Sequence, residues 1–302
     1  KIDDIFSINS MGFRGEALAA IASVSMIEMS SAKFDENDGY FIELNSGKII
    51  SEKELIRNKG TSIKVQNLFF NVPARRNFLK SDFVELKHII DVFNKIALSH
   101  NEIEFSLINN GEEIFYLKKE SLKKRIISIF GDKIRENLIP INEDTQIASL
   151  NGFILKPDFA KKSRSNQYIF VNNRSVKSQF INHSIFTSYD GILRDGYYPG
   201  YFLFINIDST KIDVNVHPNK TEIKFDDDQN LYSIINSAVK HCLGIYQVSP
   251  ILDFDKDPSM DVSYSQIKTN PKIPSVDVNS DFNPFQIFND DKVENLFSEK
   301  FP

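Results

Sequence analysis

The segment from Gly12 to Leu18 (GFRGEAL) carries residue types that suit a phosphate-binding turn. Its glycines stand three positions apart and lead into ALAAIASV, which predicts a helix over residues 12–24. Glycine lets the backbone turn sharply and approach a ligand, and the first turn of a helix offers free N–H groups to phosphate oxygens. The segment therefore predicts a phosphate site, although a turn that only caps a helix explains the same residues.

A second candidate is Lys220, at the end of DVNVHPNK. Apolar and polar residues alternate over residues 212–217, which predicts a strand with one apolar face. Pro218 ends this strand, so that Lys220 falls in a tight loop, where an exposed hairpin lysine is the alternative to a ligand contact. Thr61, in KGTSIKV, starts another predicted strand and by itself indicates no more than a turn.

Basic residues gather in two further segments. PARRNFLK holds Arg75 and Arg76, and the stretch before QYIFV holds Lys161, Lys162 and Arg164. Such groups can neutralise DNA phosphates, although a run of charges is more often a solvated face. The net charge of −5 argues against a protein that coats nucleic acid by charge alone, but it allows a local basic groove.

Length and composition set wider limits. The 302 residues suffice for about two domains, and the chain contains no run of about 18 apolar residues that would predict a membrane span. The first residues have no signal-peptide character. The single cysteine, Cys242, excludes an internal disulfide framework and favours a cytoplasmic setting. No Cys/His spacing predicts a metal site.

Hydrophobic periodicity predicts a mixture of helices and strands. In the first half, strands are expected over 24–30, 40–45 and 61–67, a helix opening at Pro73, and a hairpin around Asn110-Gly111. Apolar residues after Pro73 recur in steps of four and three, which predicts one buried helix face: Leu79, Phe83, Leu86, Ile90, Phe93 and Ala97. In the second half, helices are expected at SLKKRIISIFG and near 178–194 and 229–245, with strands near 146–156, 167–173 and at FLFINI and IDVNV. Mixed elements predict α/β or α+β layers.

Together these segments resemble the MutL family of the GHKL ATPase superfamily. The matching motifs, in the family's order over residues 1 to about 247, are GFRGEALAAIASVS, the GT of KGTSIKV, VQNLFFNVPARRNFLK, QYIFVNNRSV and DVNVHPNKTEIKF. The resemblance implies an α/β fold in which a truncated GHKL-type (Bergerat) sandwich over residues 1–118 is followed by a smaller β-α transducer domain over 119–248. A polar stretch over 249–302 is expected to be a disordered linker or tail. Asn173 stands where the family usually has glycine, a change that the left-handed tolerance of asparagine can absorb.

The resemblance also implies the roles of the site residues. A lid would wrap the triphosphate of ATP with the backbone N–H groups of Gly12, Phe13, Arg14, Gly15, Glu16, Ala17 and Leu18. Thr61 would lie on the adenine side, Lys220 would make the catalytic contact to the γ-phosphate, and Lys1 would also touch the nucleotide. The family's general-base Glu, its Mg²⁺-ligand Asn and its adenine loop would all precede Lys1. No metal ligand is therefore expected in this chain, and we expect no steady ATP hydrolysis by residues 1–302 alone.

The function implied by the resemblance is an ATP-dependent switch of DNA mismatch repair. Such a protein would bind ATP and DNA, act as a slow ATPase and a homodimer in its full-length form, and couple a mismatch-recognition protein to a downstream helicase or nuclease. Two alternatives stay open, a non-enzymatic DNA-binding scaffold and a type II topoisomerase ATPase subunit. The segments FVNNRSV and PARRNFLK favour MutL over the topoisomerase.

Overall fold

The computed structural model describes residues 15–33, 38–213 and 224–247. The chain divides into two units, residues 1–250 and 251–302, and all described residues belong to the first. Its helices are α1 (Glu16–Ser23), α2 (Pro73–Arg76), α3 (Asp82–Ser99), α4 (Leu122–Phe130), α5 (Gln179–Ser188) and α6 (Asp228–Gln247). The predicted tail over 249–302 lies outside the described residues. None of the described helices is long and apolar enough to cross a membrane.

Within the described ranges, the strands form two larger sheets and two two-stranded sheets. In the first half they are β1 (Met26–Ala32), β2 (Asp38–Asn45), β3 (Lys48–Ile56), β4 (Gly60–Gln66), β5 (Phe105–Asn109) and β6 (Glu112–Leu117). In the second half they are β7 (Leu138–Asp144), β8 (Ala148–Leu155), β9 (Gln167–Val171), β10 (Arg174–Ser175), β11 (Tyr201–Ile207), β12 (Ile212–Asp213) and β13 (Lys224–Phe225). The mixed α/β class expected from the sequence is confirmed.

The first sheet is antiparallel, with the order β3-β2-β1-β4, and α1 contacts β2. The strands predicted from VSMIEMS, YFIELN and TSIKVQN are β1, β2 and β4. The strand β3 was not predicted, because its apolar residues come as adjacent pairs and do not alternate. Its pairing with β2 contains a register shift between Glu43 and Leu44, which accommodates that irregular pattern.

The hairpin around Asn110-Gly111 is confirmed as β5–β6, with φ of 51° and 86° at the two turn residues. The buried face predicted after Pro73 is only partly correct. Ala97 is fully buried, but Phe83 is 79% exposed and Leu79 is 45% exposed. The fully buried residues of α3 lie in its C-terminal half, and the helix contacts α4 and β10. Leu86, Ile90 and Phe93 are partly buried.

The second sheet has the order β10-β9-β11-β8-β7, and β9 and β11 are parallel to each other. Alternation along β11 sends Tyr201, Leu203 and Ile205 into a core with α5 and α6. It sends Phe202 and Phe204 to the other face, where they share a core with Leu98 of α3 and Ile126 of α4. The edge strand β7 was not predicted because it contains Pro140, which only an edge strand accommodates readily.

Arg125 of α4 ties these elements together. Its side chain is fully buried, and its guanidinium donates hydrogen bonds to four backbone carbonyls and to Glu120. The carbonyls belong to Ala97, Asn101, Ile103 and Lys118, at distances of 2.8, 3.2, 2.8 and 2.8 Å. Arg125 therefore holds the end of α3 and the hairpin against α4. The predicted domain boundary, between residues 118 and 119, falls beside this junction and stays a prediction.

Candidate functional site

The start of α1 has the geometry of an open helix N-terminus. Gly15 is its N-cap residue, with φ of 66° in the left-handed region, and no side chain caps the helix. A Cβ at Gly15 would meet no atom within 4 Å, and the next residues, Glu16, Ala17 and Leu18, are exposed. The described part of the predicted lid is therefore exposed, and its first turn carries the acidic side chain of Glu16. Lys1, Gly12, Phe13 and Arg14 lie outside the described residues.

Thr61 lies at the start of β4, directly opposite Ser31 of β1. The two hydroxyl oxygens are 2.8 Å apart and exposed. Arg57 stabilises the same end of β1 because its guanidinium donates to the Ser30 carbonyl at 2.5 Å. One strand, β1, separates Thr61 from β2, the strand that α1 contacts. Thr61 thus belongs to the sheet that α1 contacts. Among the described residues, no hydrogen bond or ion pair joins Thr61 to α1.

Lys220 and Pro218 lie outside the described residues, but the strands on either side of residues 214–223 are described. Ile212 pairs with Phe225, so that β12 and β13 close the base of this segment. The approach to β12 is fixed by Asp208, whose carboxylate accepts hydrogen bonds from the backbone N–H and the hydroxyl of Thr210. The first of these bonds is the main reason why the pKa of Asp208 is lowered.

The turn between β9 and β10 holds the end of β11. The Asn172 amide donates to the Ile207 carbonyl at 2.8 Å and accepts from the Ile207 N–H at 3.0 Å. Asn172 and Asn173 have φ of 48° and 63°, so Asn173 does adopt the left-handed region, as expected from the sequence. Burial lowers the pKa of Arg174, the next residue. This turn fixes the strand that leads towards residues 214–223.

The predicted DNA-binding residues lie on two different elements, and all of them are exposed. Arg75 and Arg76 form the end of α2, which opens at Pro73 as predicted. Lys161, Lys162 and Arg164 lie in the loop before β9, above the rings of Phe159, Tyr197 and Tyr198 at 5.8, 5.9 and 4.8 Å. No hydrogen bond or ion pair joins the two groups within the described ranges.

The comparisons with known proteins agree with these motifs. Residues 126–244 match the family model described as DNA mismatch repair protein, C-terminal domain. The MutL protein of Flavobacterium psychrophilum is 48% identical over 300 residues, which are 99% of this chain and 48% of that relative. The chain belongs to the MutL family of DNA mismatch repair proteins. It spans about half the length of the curated relatives it matches.

Solved structures support the fold. The N-terminal domain of a DNA repair protein gives a TM-score of 0.68 at 23% identity, over 80% of this chain and 78% of that one. The Aquifex aeolicus MutL ATPase domain complexed with ADP gives 0.52 at 25% identity, over 68% and 75%. The expected GHKL-type ATPase fold with a transducer region is therefore confirmed, and MutL is favoured over a topoisomerase subunit.

Three residues of this MutL-family chain, Arg125, Asn71 and Asn172, make structural hydrogen bonds that were not predicted from the sequence. Arg125 stands among the apolar residues of KRIISIF, and a charge in such a helix is a weak sign of a buried contact. Asn71 and Asn172 precede basic residues in the turns of FFNVPARR and FVNNRS. Asparagine in a turn indicates side-chain bonding to the backbone, but the sequence cannot name the partner atoms.

Among the described residues, no group of three or more His, Cys, Asp or Glu side chains is placed to hold a metal ion.

Proposed function

We propose that this chain is the ATP-binding and transducer part of an ATP-driven switch in DNA mismatch repair. The observation that carries the proposal is the uncapped, glycine-headed N-terminus of α1, in a chain of the MutL family. The full-length protein would work in the cytoplasm as a homodimer. It would bind DNA and couple a mismatch-recognition protein to a downstream helicase or nuclease.

The chemistry expected of this chain is binding and orientation. The first N–H groups of α1 donate to phosphate oxygens, and the helix dipole adds to this attraction. Thr61 stands on the adenine side, and Lys220 contacts the γ-phosphate from the transducer domain. Mg²⁺, when bound with the nucleotide, neutralises charge on the phosphates. A structure of a relative that holds ADP supports the nucleotide part of the proposal.

Gly15→Ala in the full-length gene product is expected to weaken ATP binding about five- to thirtyfold. The left-handed φ of 66° at Gly15 costs an L-residue roughly 1–2 kcal/mol. Alanine therefore favours a backbone that redirects the chain entering α1. Isothermal titration with a non-hydrolysable ATP analogue measures the effect.

Gly111→Ala is the matched control for this substitution. Gly111 also has a positive φ, 86°, and a Cβ there also meets no atom within 4 Å, but it lies in the β5–β6 hairpin. It should lower stability and leave ATP affinity unchanged. Equal loss of affinity in both variants would contradict a phosphate role for Gly15. A wild-type protein that binds DNA but no nucleotide would favour the non-enzymatic scaffold.

DNA binding is expected to be weak, independent of sequence and steeply dependent on salt. Log affinity falls with log salt, and each lost phosphate contact makes this negative slope shallower by about 0.9. Replacing Lys161, Lys162 and Arg164 together by glutamine should make it shallower by roughly 3 if all three contact phosphates. Replacing Arg75 and Arg76 should make it shallower by roughly 2. Fluorescence anisotropy with labelled duplexes of unrelated sequence, at several salt concentrations, measures both.

The charge-matched control replaces Lys123, Lys124 and Lys133 by glutamine. These lysines are exposed and lie on and after α4, away from both basic groups in the sequence. The control removes the same formal charge and should keep most of the wild-type slope. A slope that becomes equally shallow in the control triple would show that only total charge matters. A strong preference for one DNA sequence would also contradict the proposal.

A further inference from the structure

The loop between β4 and α2 contacts the end of α1 and leads into α2, which carries Arg75 and Arg76. Its backbone has positive φ at Asn67, 50°, and at Phe69, 64°. A bulky residue such as phenylalanine rarely adopts this region, so the surrounding contacts must hold the loop in place. Two of those contacts are made to the C-terminal end of α1. The Phe69 N–H donates to the Val24 carbonyl at 2.7 Å, and the Asn71 side-chain amide donates to the Ser23 carbonyl at 2.9 Å.

Asn71 makes a second contact that fixes its orientation. The same amide nitrogen donates to the Ser46 hydroxyl, at 3.2 Å, in the turn between β2 and β3. Ser46 in turn donates its N–H to the Ser25 carbonyl at 3.2 Å. The amide of Asn71 therefore bridges the end of α1 and the adjacent turn of the first sheet.

The chain continues directly from this contact into the basic helix. The Val72 carbonyl, one residue after Asn71, accepts the N–H groups of Arg75 and Arg76 at 3.0 and 3.2 Å. A movement of Asn71 therefore changes the position of α2, which carries both guanidinium groups. At the opposite end, α1 is a helix of eight residues that begins at Glu16, next to Gly15. Backbone hydrogen bonds join successive turns of this helix, which gives a path from a displacement at its first turn to its last carbonyls.

We propose that Asn71 is a positioning residue that couples nucleotide at the first turn of α1 to DNA at Arg75 and Arg76. The inference rests on the proposed function, because it needs both ligands. Nucleotide contacts at the first turn reorient α1, and the Ser23 carbonyl carries that change through Asn71 to α2. Linkage requires the reverse effect as well, so that DNA on α2 changes the affinity for nucleotide by the same factor.

The exposure of Asn71 makes this role testable without unfolding the protein. Its hydrogen bonds lie at the surface, where water can replace a lost partner. Asn71→Ala should therefore leave the fold intact while it uncouples α1 from α2. Asn71→Asp is a second variant of nearly the same shape, which cannot donate to the Ser23 carbonyl. Asn142→Ala is the control, since Asn142 is an exposed asparagine of β7 with no side-chain hydrogen bond to the described residues.

The experiment measures DNA affinity of the full-length gene product with and without a non-hydrolysable ATP analogue. The ratio of the two dissociation constants is the coupling factor. We expect it to be fivefold or more in the wild type and in Asn142→Ala, as is typical of coupled sites. It should fall below about twofold in Asn71→Ala and Asn71→Asp. The affinity of both variants for each ligand alone should stay within about twofold of wild type.

Several outcomes would overturn the inference. One is an unchanged coupling factor in both Asn71 variants. Another is a coupling factor of one in a wild type that binds both ligands. A third is that an Asn71 variant loses coupling only because it no longer binds one of the two ligands. Hydrogen exchange on the wild type gives a test that needs no variant. DNA added without nucleotide should slow exchange across residues 16–24, and unchanged exchange there would refute the link. A wild type that binds neither ligand would instead refute the proposed function.

Discussion

Arg125→Met is expected to lower the free energy of unfolding by about 3–5 kcal/mol, the usual cost of breaking a buried charged contact. Methionine fills similar space but donates nothing. Four backbone carbonyls and the carboxylate of Glu120, 16% exposed, would then lose the hydrogen bonds that the guanidinium donates. The contact of the guanidinium with the Phe105 ring, at 5.6 Å, would be lost too. Urea denaturation followed by far-ultraviolet circular dichroism measures the change.

Arg135→Met is the control for that loss. Arg135 pairs with Asp132 at 2.5 Å, but both side chains are largely exposed, 59% and 82%. Surface pairs of this kind contribute about 0–1 kcal/mol. Arg125→Lys should fall between the two, because lysine keeps the charge but has no planar fork to reach several carbonyls. Equal denaturation midpoints for Arg125→Met and Arg135→Met would show that the buried guanidinium does not hold α3, α4 and the hairpin together.

Lys220→Ala is expected to slow ATP turnover of the full-length protein about ten- to a hundredfold, while ADP affinity changes little. A lost charge-assisted contact is typically worth about 1.5–3 kcal/mol. A lysine that reaches from the transducer domain to the γ-phosphate gains far less once that phosphate is gone. Such a difference between ATP and ADP is what a switch requires, because a ligand shifts an equilibrium only by its preference between states. Steady-state hydrolysis and nucleotide titrations test both parts.

Lys211→Ala controls for loss of charge near the same segment. Lys211 is exposed and ends the 3-10 turn just before β12. It should keep wild-type turnover. If Lys220→Ala also keeps it, Lys220 is an ordinary surface lysine and the switch must read the γ-phosphate elsewhere. If both variants lose turnover equally, the loss reflects general electrostatics of the transducer domain.

Several helix starts and turns of this protein could be predicted from short stretches of sequence, because they depend on the backbone torsions of neighbouring residues. Pro73 at a helix start and Asn110-Gly111 in a hairpin are set by the backbone torsions of single residues, and both predictions are confirmed. The strand β3 and the edge strand β7 were not predicted. Their pairing with neighbours, which no periodicity reports, makes them strands. The exposure of Phe83 likewise depends on which elements pack against α3. The helical spacing of apolar residues carries no information about those elements.

The sequence by itself determined the family and the candidate residues, since GFRGEAL and DVNVHPNK are specific over a few consecutive positions. It also allowed a left-handed turn at Gly15 before α1, because glycine adopts a positive φ without a steric penalty. Only the tertiary structure decided which atoms Arg125 and Asn71 contact. The carbonyls that Arg125 holds lie 7–28 residues away, and the one that Asn71 holds lies 48 residues away. Hydrogen bonds across such separations depend on how α1, α3, α4 and the loops pack, and that arrangement exists only in the folded chain.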